Sequence, residues 1–331
     1  MNAIRHPPSA IRHFPHPPSP PMRTAFLQEM TSQAAEREEI FLVVGDLGFS
    51  VVEEFADRFP DRFLNAGVAE QNMTGLAAGL ASEGYHVFTY SIANFPTLRC
   101  LEQIRNDVCY HNLPVTVVAV GAGLAYGNLG YSHHGVQDIA ALAAMPNLTL
   151  LAPADPGEAR AATRHLLDHP GPSYLRLGKA GEAELHDETF APLIAVRENR
   201  EAELAIVATG SILREALAAA DRLGEEHALP VDVWSCPQLS PPITEGLTPL
   251  RQYQRIYTLE EHAYAGGLGD FLRRNLHHSL FVHSFAVAPC LADEVGDQNY
   301  LRTKAGLDGR NVASVVLSHE SGGTRGQATG G

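Results

Sequence analysis

The chain has 331 residues, of which 45% are hydrophobic and 19% are charged, and its formal net charge is −14. This length is enough for two domains with buried cores, and the negative charge argues against nucleic acid or an anionic membrane surface as the main partner. No apolar run approaches the ~20 residues that a membrane span needs. The four cysteines form no CxxC pair, so we expect reduced thiols in a cytoplasmic protein.

The two ends of the chain differ in composition from the rest. Residues 1–21 are rich in proline and histidine and lack the apolar stretch of a signal peptide, and residues 320–331 are rich in glycine. Such segments bury little apolar surface. We therefore predict a disordered leader over 1–21 and a disordered tail over 320–331.

From Met22 the pattern alternates between amphipathic helices and short apolar strands. We predict helices at 22–37, 50–59, 70–82, 95–110 and 156–167, with strands at 40–44, 63–65, 87–90, 115–120, 148–151 and 173–176. Alternation of this kind builds a parallel sheet with helices on both faces, and ligands bind at the carboxyl ends of its strands. We therefore predict a first α/β domain over 22–180.

A second α/β unit follows a polar stretch without periodicity. Residues 181–202 form the predicted linker, and residues 203–319 the second domain. Its predicted strands are 204–208, 230–234, 255–259 and 279–285, and its helices are 212–223, 268–276, 298–305 and one from Arg310. The predicted fold class is α/β with two domains, each a mostly parallel sheet with helices on both faces.

Three features of the sequence invite a functional interpretation. Glu70 opens the helix 70–82, where the helix dipole favours any acidic residue, so position alone does not make it functional. The glycine-rich loop 121–135 resembles a phosphate cradle only weakly, and its His133 is an exposed loop histidine or a proton-transfer group. The glycines of 266–269 lack the first strand and spacing of a dinucleotide site, so we reject NAD.

These segments resemble a known family when they are taken in order. Gly67-Val-Ala-Glu70-Gln71 resembles the Gly-Ile-x-Glu-(His/Gln) motif of the pyrimidine-binding domain of transketolases and deoxyxylulose-phosphate synthases. Leu259-Glu-Glu-His262 and Ala265-Gly-Gly-Leu-Gly269 resemble the transketolase C-terminal domain. The resemblance implies the C-terminal half of a thiamine-diphosphate enzyme, in which Glu70 hydrogen-bonds the aminopyrimidine ring of the cofactor and drives loss of its reactive proton.

The same resemblance assigns further roles on the cofactor side of the site. Phe95 would stack on the aminopyrimidine ring, and Asp46 would lie near the cofactor. His133 would sit beside the reactive carbon and move protons on the substrate hydroxyl. Leu98 and Leu101 stand where transketolases have two further aromatic residues, so we expect a more aliphatic pocket.

On the substrate side, the resemblance assigns a phosphate-binding role to Arg176 and Ser50, and a guanidinium suits a forked phosphate contact. His133 also belongs to this sugar site. Two family residues are missing: Gly121 replaces a histidine that helps to bind the acceptor phosphate, and Leu129 replaces an aspartate that recognises sugar hydroxyls. We infer that the acceptor is unusual or that a partner chain supplies other contacts.

The chain lacks the motif that holds Mg²⁺ in transketolases. No Gly-Asp-Gly occurs, although Mg²⁺ needs oxygen ligands in addition to the cofactor phosphates. We therefore predict a separate N-terminal subunit that binds the diphosphate and Mg²⁺, and an α₂β₂-like assembly in which this chain also dimerises. The predicted reaction transfers a two-carbon ketol unit from a ketose or ketose phosphate to an aldehyde. The β subunit of a 2-oxo acid dehydrogenase and a non-catalytic scaffold half remain as alternatives.

Overall fold

The computed structural model describes residues 20–179, 181–241, 245–276 and 280–323. Its first half carries twelve labelled elements. The helices are α1 (Met22–Gln33), α2 (Glu53–Arg58), α3 (Glu70–Ser82), α4 (Leu101–Gln103), α5 (Asp138–Leu142) and α6 (Pro156–Asp168). The strands are β1 (Ile40–Val44), β2 (Phe63–Asn65), β3 (His86–Ile92), β4 (Val115–Val120), β5 (Thr149–Leu151) and β6 (Ser173–Leu177).

The second half is organised in the same way. Its strands are β7 (Ile194–Arg197), β8 (Leu204–Thr209), β9 (Val231–Ser235), β10 (Gln238–Ser240), β11 (Arg255–Ala263) and β12 (Phe281–Val287). Its helices are α7 (Leu213–His227), α8 (Leu268–Asn275), α9 (Gln298–Lys304) and α10 (Gly309–Gly323).

Two mostly parallel sheets confirm the predicted fold class. The larger sheet has the order β10-β5-β6-β4-β3-β1-β2, with only β10 antiparallel to its neighbour, and the smaller has the order β12-β11-β8-β9-β7, with only β7 antiparallel. Every residue of β1, β4, β6 and β8 is buried, as expected for strands covered on both faces. Helices α1 and α6 pack on one face of the larger sheet and α3 on the other.

Four of the differences from the predicted elements are two missed strands, one turn and one helix end. The predicted linker 181–202 contains β7, an exposed edge strand whose polar residues hide its period. Strand β10 has only three residues and lies in the larger sheet although it follows β9. Residues 95–100 form turns, because Pro96 has no amide hydrogen and the Thr97 hydroxyl donates to the Ala93 carbonyl oxygen at 2.6 Å. Helix α10 extends into the predicted tail as far as Gly323.

The remaining part of the predicted tail and residues 1–19 of the predicted leader lie outside the described residues. Helix α1 starts at Met22, immediately after Pro21. Among the residues that the structure describes, no helix has both the length and the apolar composition needed to cross a membrane.

The glycine loop after β11 is filled by a side chain of β11 itself. Glu260 is fully buried and accepts hydrogen bonds from the amides of Leu268 and Gly269 at 2.6 and 3.0 Å. A Cβ on Gly267 would lie 2.1 Å from a Glu260 carboxylate oxygen, so this carboxylate fills the glycine loop. The Glu260 carboxylate therefore explains why residue 267 is glycine, and a bound dinucleotide is not needed to explain it.

Candidate functional site

Glu70 lies at the start of α3, where the chain turns into the helix after β2. The turn is held by Asn65, whose side-chain oxygen accepts hydrogen bonds from the amides of Asp46 and Gly67 at 3.1 and 2.9 Å. Gly67 has φ of +71°, a conformation that glycine adopts without strain. This geometry buries the Glu70 side chain to 2% exposure beside the carboxyl ends of β1 and β3.

Arg99 lies beside Glu70 and Phe95, although the sequence did not predict it as a site residue. Its guanidinium donates to Glu70 Oε2 at 2.7 Å and lies over the Phe95 ring at 4.9 Å from the centroid. Gln71 donates to the Arg99 carbonyl oxygen at 3.1 Å, which fixes the turn that carries the arginine. Arg99 lies four residues after Phe95, at the position after Leu98. This four-residue spacing, which places two side chains on one face of a predicted helix, was the available signal in the sequence.

Phe95 and His133 come together although they are far apart in sequence. Their ring centroids are 5.2 Å apart in an edge-on arrangement. Asn94 holds the His133 loop in place by donating to the carbonyl oxygens of Ser132 and His134 at 3.0 and 2.8 Å. Three predicted site residues, Glu70, Phe95 and His133, therefore form one group with Arg99.

Asp46 lies near this group, at the end of β1. Its carboxylate accepts a hydrogen bond from the Asn65 side chain at 3.0 Å, and its backbone has φ of +57°. Asp46 is exposed, and its contacts with Asn65 tie β1 to the turn before Glu70. Asp46 thus lies at the same edge of the larger sheet as Glu70, and its hydrogen bonds with Asn65 position the turn before Glu70.

Arg176 does not occupy a position from which it could hold a substrate. Its side chain is 3% exposed, and Nε donates to Asp138 Oδ2 at 2.8 Å. Nη2 donates to the carbonyl oxygens of Gly135 and Glu261 at 2.6 and 3.0 Å. Although burial alone would raise it, the charge of Arg176 holds the pKa of Asp138 below its ordinary value. The expected phosphate clamp is therefore corrected to an internal tie between the two domains.

Two other cations, Lys179 and Arg23, lie near Tyr126 and Tyr90, and we call this part of the sheet edge the mouth of the site. Lys179 follows β6, and its ammonium lies 4.4 Å from the centre of the Tyr126 ring. Arg23, at the start of α1, has a buried Nε without a hydrogen-bond partner in the described structure. Its charge acts on both Tyr90 and Tyr126, opposing the burial that raises the pKa of each phenol. Neither cation forms an ion pair with a described carboxylate.

Ser50 lies in the loop between β1 and α2. It is exposed, has φ of +67°, and its amide donates to Glu53 Oε1 at 2.7 Å. The loop approaches Tyr90, because a Cβ on Gly48 would lie 3.2 Å from that ring. Ser50 therefore belongs to the side of the site that carries Arg23, and not to the surroundings of Arg176.

Family models match both halves of the chain. The transketolase pyrimidine-binding domain matches residues 19–181, and the transketolase C-terminal domain matches residues 194–295. The chain is 31% identical over 273 residues to one of the subunits of the apulose-4-phosphate transketolase of Actinobacillus succinogenes, which is 81% of this chain and 88% of that relative. The chain belongs to the transketolase family. These matches do not favour a 2-oxo acid dehydrogenase.

One further relative and two solved structures match most of the chain. A Clostridium protein, 6-deoxy-6-sulfo-D-fructose transketolase subunit SqwH, is 30% identical over 90% of this chain and 94% of its own length. A solved split gene transketolase, described as an inactive beta4 tetramer, superposes with a TM-score of 0.80 at 32% identity over 90% of this chain and 97% of its own. The transketolase of Campylobacter jejuni has the same fold, with a TM-score of 0.78 at 18% identity over 90% of this chain and 46% of that chain.

The departures from the usual transketolase pattern have structural counterparts. Gly121 has φ of +80°, and a Cβ there would lie 2.0 Å from a Tyr126 ring carbon. Leu129 is 51% exposed on the same loop, and Leu98 is 41% exposed at the sheet edge. Leu101 instead packs against the core between the domains. Within the described part of the chain, no cluster of His, Cys, Asp and Glu side chains is arranged to hold a metal ion.

Proposed function

We propose that this chain is the pyrimidine-binding subunit of a thiamine-diphosphate-dependent transketolase that transfers a two-carbon ketol unit from a ketose to an aldehyde. The observation that carries the proposal is the continuous group Glu70, Arg99, Phe95 and His133 at the open edge of the larger sheet. Thiamine diphosphate supplies the nucleophilic carbon that attacks the ketose carbonyl. The residues of this chain position and activate it.

The four residues fit one half of a cofactor site. Glu70 offers a buried carboxylate that accepts a hydrogen bond from a protonated ring nitrogen, and Phe95 offers a half-buried ring for stacking. Arg99 bridges the two and aligns the carboxylate. His133 lies with its ring centroid 5.2 Å from that of Phe95, where its imidazole moves a proton to or from a substrate oxygen.

A second subunit completes the site in this proposal. Beside Glu70, α3 exposes a face on which Gly75 and Gly79 have no heavy atom of the described chain within 4 Å of an added Cβ. Val68 is 75% exposed and Leu76 38% exposed beside them. Small and apolar residues allow a second helix to approach closely. The N-terminal subunit that binds the diphosphate and Mg²⁺ packs on this face.

The assembly that follows is of the α₂β₂ type. The solved split gene transketolase described as an inactive beta4 tetramer is consistent with a chain of this kind that associates with itself and needs a further subunit for activity. Two relatives are named for phosphorylated or sulfonated sugars. An anionic sugar fits the mouth of this site, where Arg23 and Lys179 carry the positive charge that we first expected from Arg176.

The catalytic proposal is tested on the chain reconstituted with a diphosphate-binding subunit, thiamine diphosphate and Mg²⁺. The Glu70→Gln change removes the carboxylate, so we expect kcat to fall by about 10²–10⁴-fold, the usual range for acid–base groups. Glu102→Gln is the matched control, because Glu102 is an exposed glutamate on α4, and it should leave kcat unchanged. Full activity of Glu70→Gln would favour a scaffold role instead.

The docking face is tested separately by Gly79→Leu, which places a branched side chain on the exposed face of α3. We expect this chain to stay folded but to lose co-purification with the diphosphate-binding subunit. Gly224→Leu is the control, because Gly224 is an equally open glycine on α7. Equal loss of co-purification in both variants, or in neither, would contradict the assigned face.

A further inference from the structure

Tyr126 occupies the space that a side chain at position 121 would need. A Cβ on Gly121 would lie 2.0 and 2.1 Å from two carbons of the Tyr126 ring, so only glycine at 121 is compatible with this ring position. The resemblance to transketolases implies a phosphate-binding histidine at position 121, where this chain has glycine. In this chain, glycine at 121 in place of that histidine leaves the room that the Tyr126 ring occupies.

The surroundings of Tyr126 are positive and include His133 of the proposed reaction site. The Lys179 ammonium lies 4.4 Å from the centre of the Tyr126 ring, and the centroid of the His133 ring lies 6.3 Å from the same centre. The charge of Arg23 acts on the phenols of both Tyr126 and Tyr90. A neutral phenol beside two cations without carboxylate partners can donate to an oxyanion that those cations attract.

Tyr126 and Lys179 are also distinct in their contacts from the residues proposed to activate the cofactor. Tyr126 touches neither Glu70 nor Arg99 in the described contacts, and only His133 links the two groups. A change at the Tyr126 hydroxyl should therefore alter the recognition of a substrate end group without altering the residues that activate the cofactor. Phe at this position keeps the ring, and hence the packing on Gly121 and Lys179.

We propose that Tyr126 is a specificity-determining residue, whose hydroxyl hydrogen-bonds the terminal phosphate of the acceptor aldehyde between Lys179 and Arg23, in place of the family histidine. This assignment depends on the proposed function and extends it to the class of acceptor. The Tyr126 ring covers one side of the Lys179 ammonium, and an acceptor without a terminal anion leaves both cations without a counter-ion.

The first test compares Tyr126→Phe with the unmodified chain in the reconstituted enzyme, using D-glyceraldehyde 3-phosphate and D-glyceraldehyde as acceptors. Loss of one hydrogen bond to a charged group should lower kcat/KM for the phosphorylated acceptor about 10-fold or more, with less than about a twofold change for the other. Tyr110→Phe is the control, because Tyr110 is 77% exposed. An equal change for both acceptors, or none, would overturn the assignment.

The second test needs neither the partner nor turnover. Binding of inorganic phosphate to the isolated chain, followed by phosphorus NMR line broadening, should weaken about 10-fold in Tyr126→Phe and remain unchanged in Tyr110→Phe. Absence of phosphate binding, or equal binding in both variants, would overturn the assignment. If phosphate binding weakens as expected while the reconstituted enzyme transfers nothing, the proposed function fails and the anion site stands.

Discussion

Replacing Arg176 by methionine should unfold the chain at much lower denaturant concentrations, because it leaves a buried carboxylate without its partner. Arg176 and Asp138 are 3% and 0% exposed, and Arg176 also donates to the carbonyl oxygens of Gly135 and Glu261. Removing one member of such a pair costs roughly 3–5 kcal/mol in the free energy of unfolding. The matching change at the exposed pair Arg58–Glu54, Arg58→Met, should cost less than about 1 kcal/mol.

Urea unfolding of both variants measures these costs directly. The double variant Arg176→Met with Asp138→Asn should lose less than Arg176→Met alone, because the unpaired charge is gone. The contribution of the pair should also depend on pH, since the pKa of Asp138 is lowered in the folded chain. It is fully present above the unfolded pKa of 3.8 and is lost as the pH falls through the lower folded value. Unchanged stability of Arg176→Met, together with a raised KM for a phosphorylated substrate, would refute this and restore the phosphate clamp.

Two further predictions concern titration and thiol chemistry. Although burial alone would lower it, the carboxylates of Glu158 and Asp155 raise the pKa of His186 from 6.5 to about 9. The stabilisation, about 3 kcal/mol at most, is complete below pH 6.5 and is lost as the pH rises to about 9; His186→Gln should flatten this dependence in thermal unfolding curves. In the native chain a thiol reagent should label Cys290 rapidly, because it is the exposed cysteine among the four, and mass spectrometry after unfolding should find the other three unlabelled. Rapid labelling of a second cysteine would contradict the described core.

The sequence predicted the parallel core of both sheets because buried strands produce an unmistakable apolar run. Strand β1 and helix α3 have the predicted bounds. The sequence did not reveal β7, because an exposed edge strand carries no apolar period. It did not reveal β10 either, because three residues are too few to show a period. The turn at 95–100 was also hidden, because the apolar spacing there resembles a helix while Pro96 and Thr97 break it locally.

Within the site, residues joined by a local motif were easier to predict than residues joined by the fold. Glu70 follows its own glycine turn, and the structure places it beside Phe95 and His133 through Arg99. Arg176 was misassigned because a strand-end arginine looks the same in sequence whether it faces a ligand or a buried Asp138. The cations that face the mouth belong to separate segments of the chain, so only the tertiary structure brings them together.

The contacts of Arg99 allow cofactor activation and substrate selection to be distinguished by one more variant. Arg99 bridges Glu70 and Phe95 but has no described contact with Tyr126 or Lys179. Although the Arg99 side chain is 48% exposed, Glu70 is only 2% exposed, so Arg99→Ala leaves a buried carboxylate without its partner and should cost about 1–3 kcal/mol in stability, which the folded chain should survive. It should nevertheless lower kcat/KM by the same factor for phosphorylated and unphosphorylated acceptors, since both use the same activated cofactor, while the exposed control Arg105→Ala changes neither. A selective loss with one acceptor would mean that Arg99 contacts the substrate, and that activation and selection are not spatially separate in this chain.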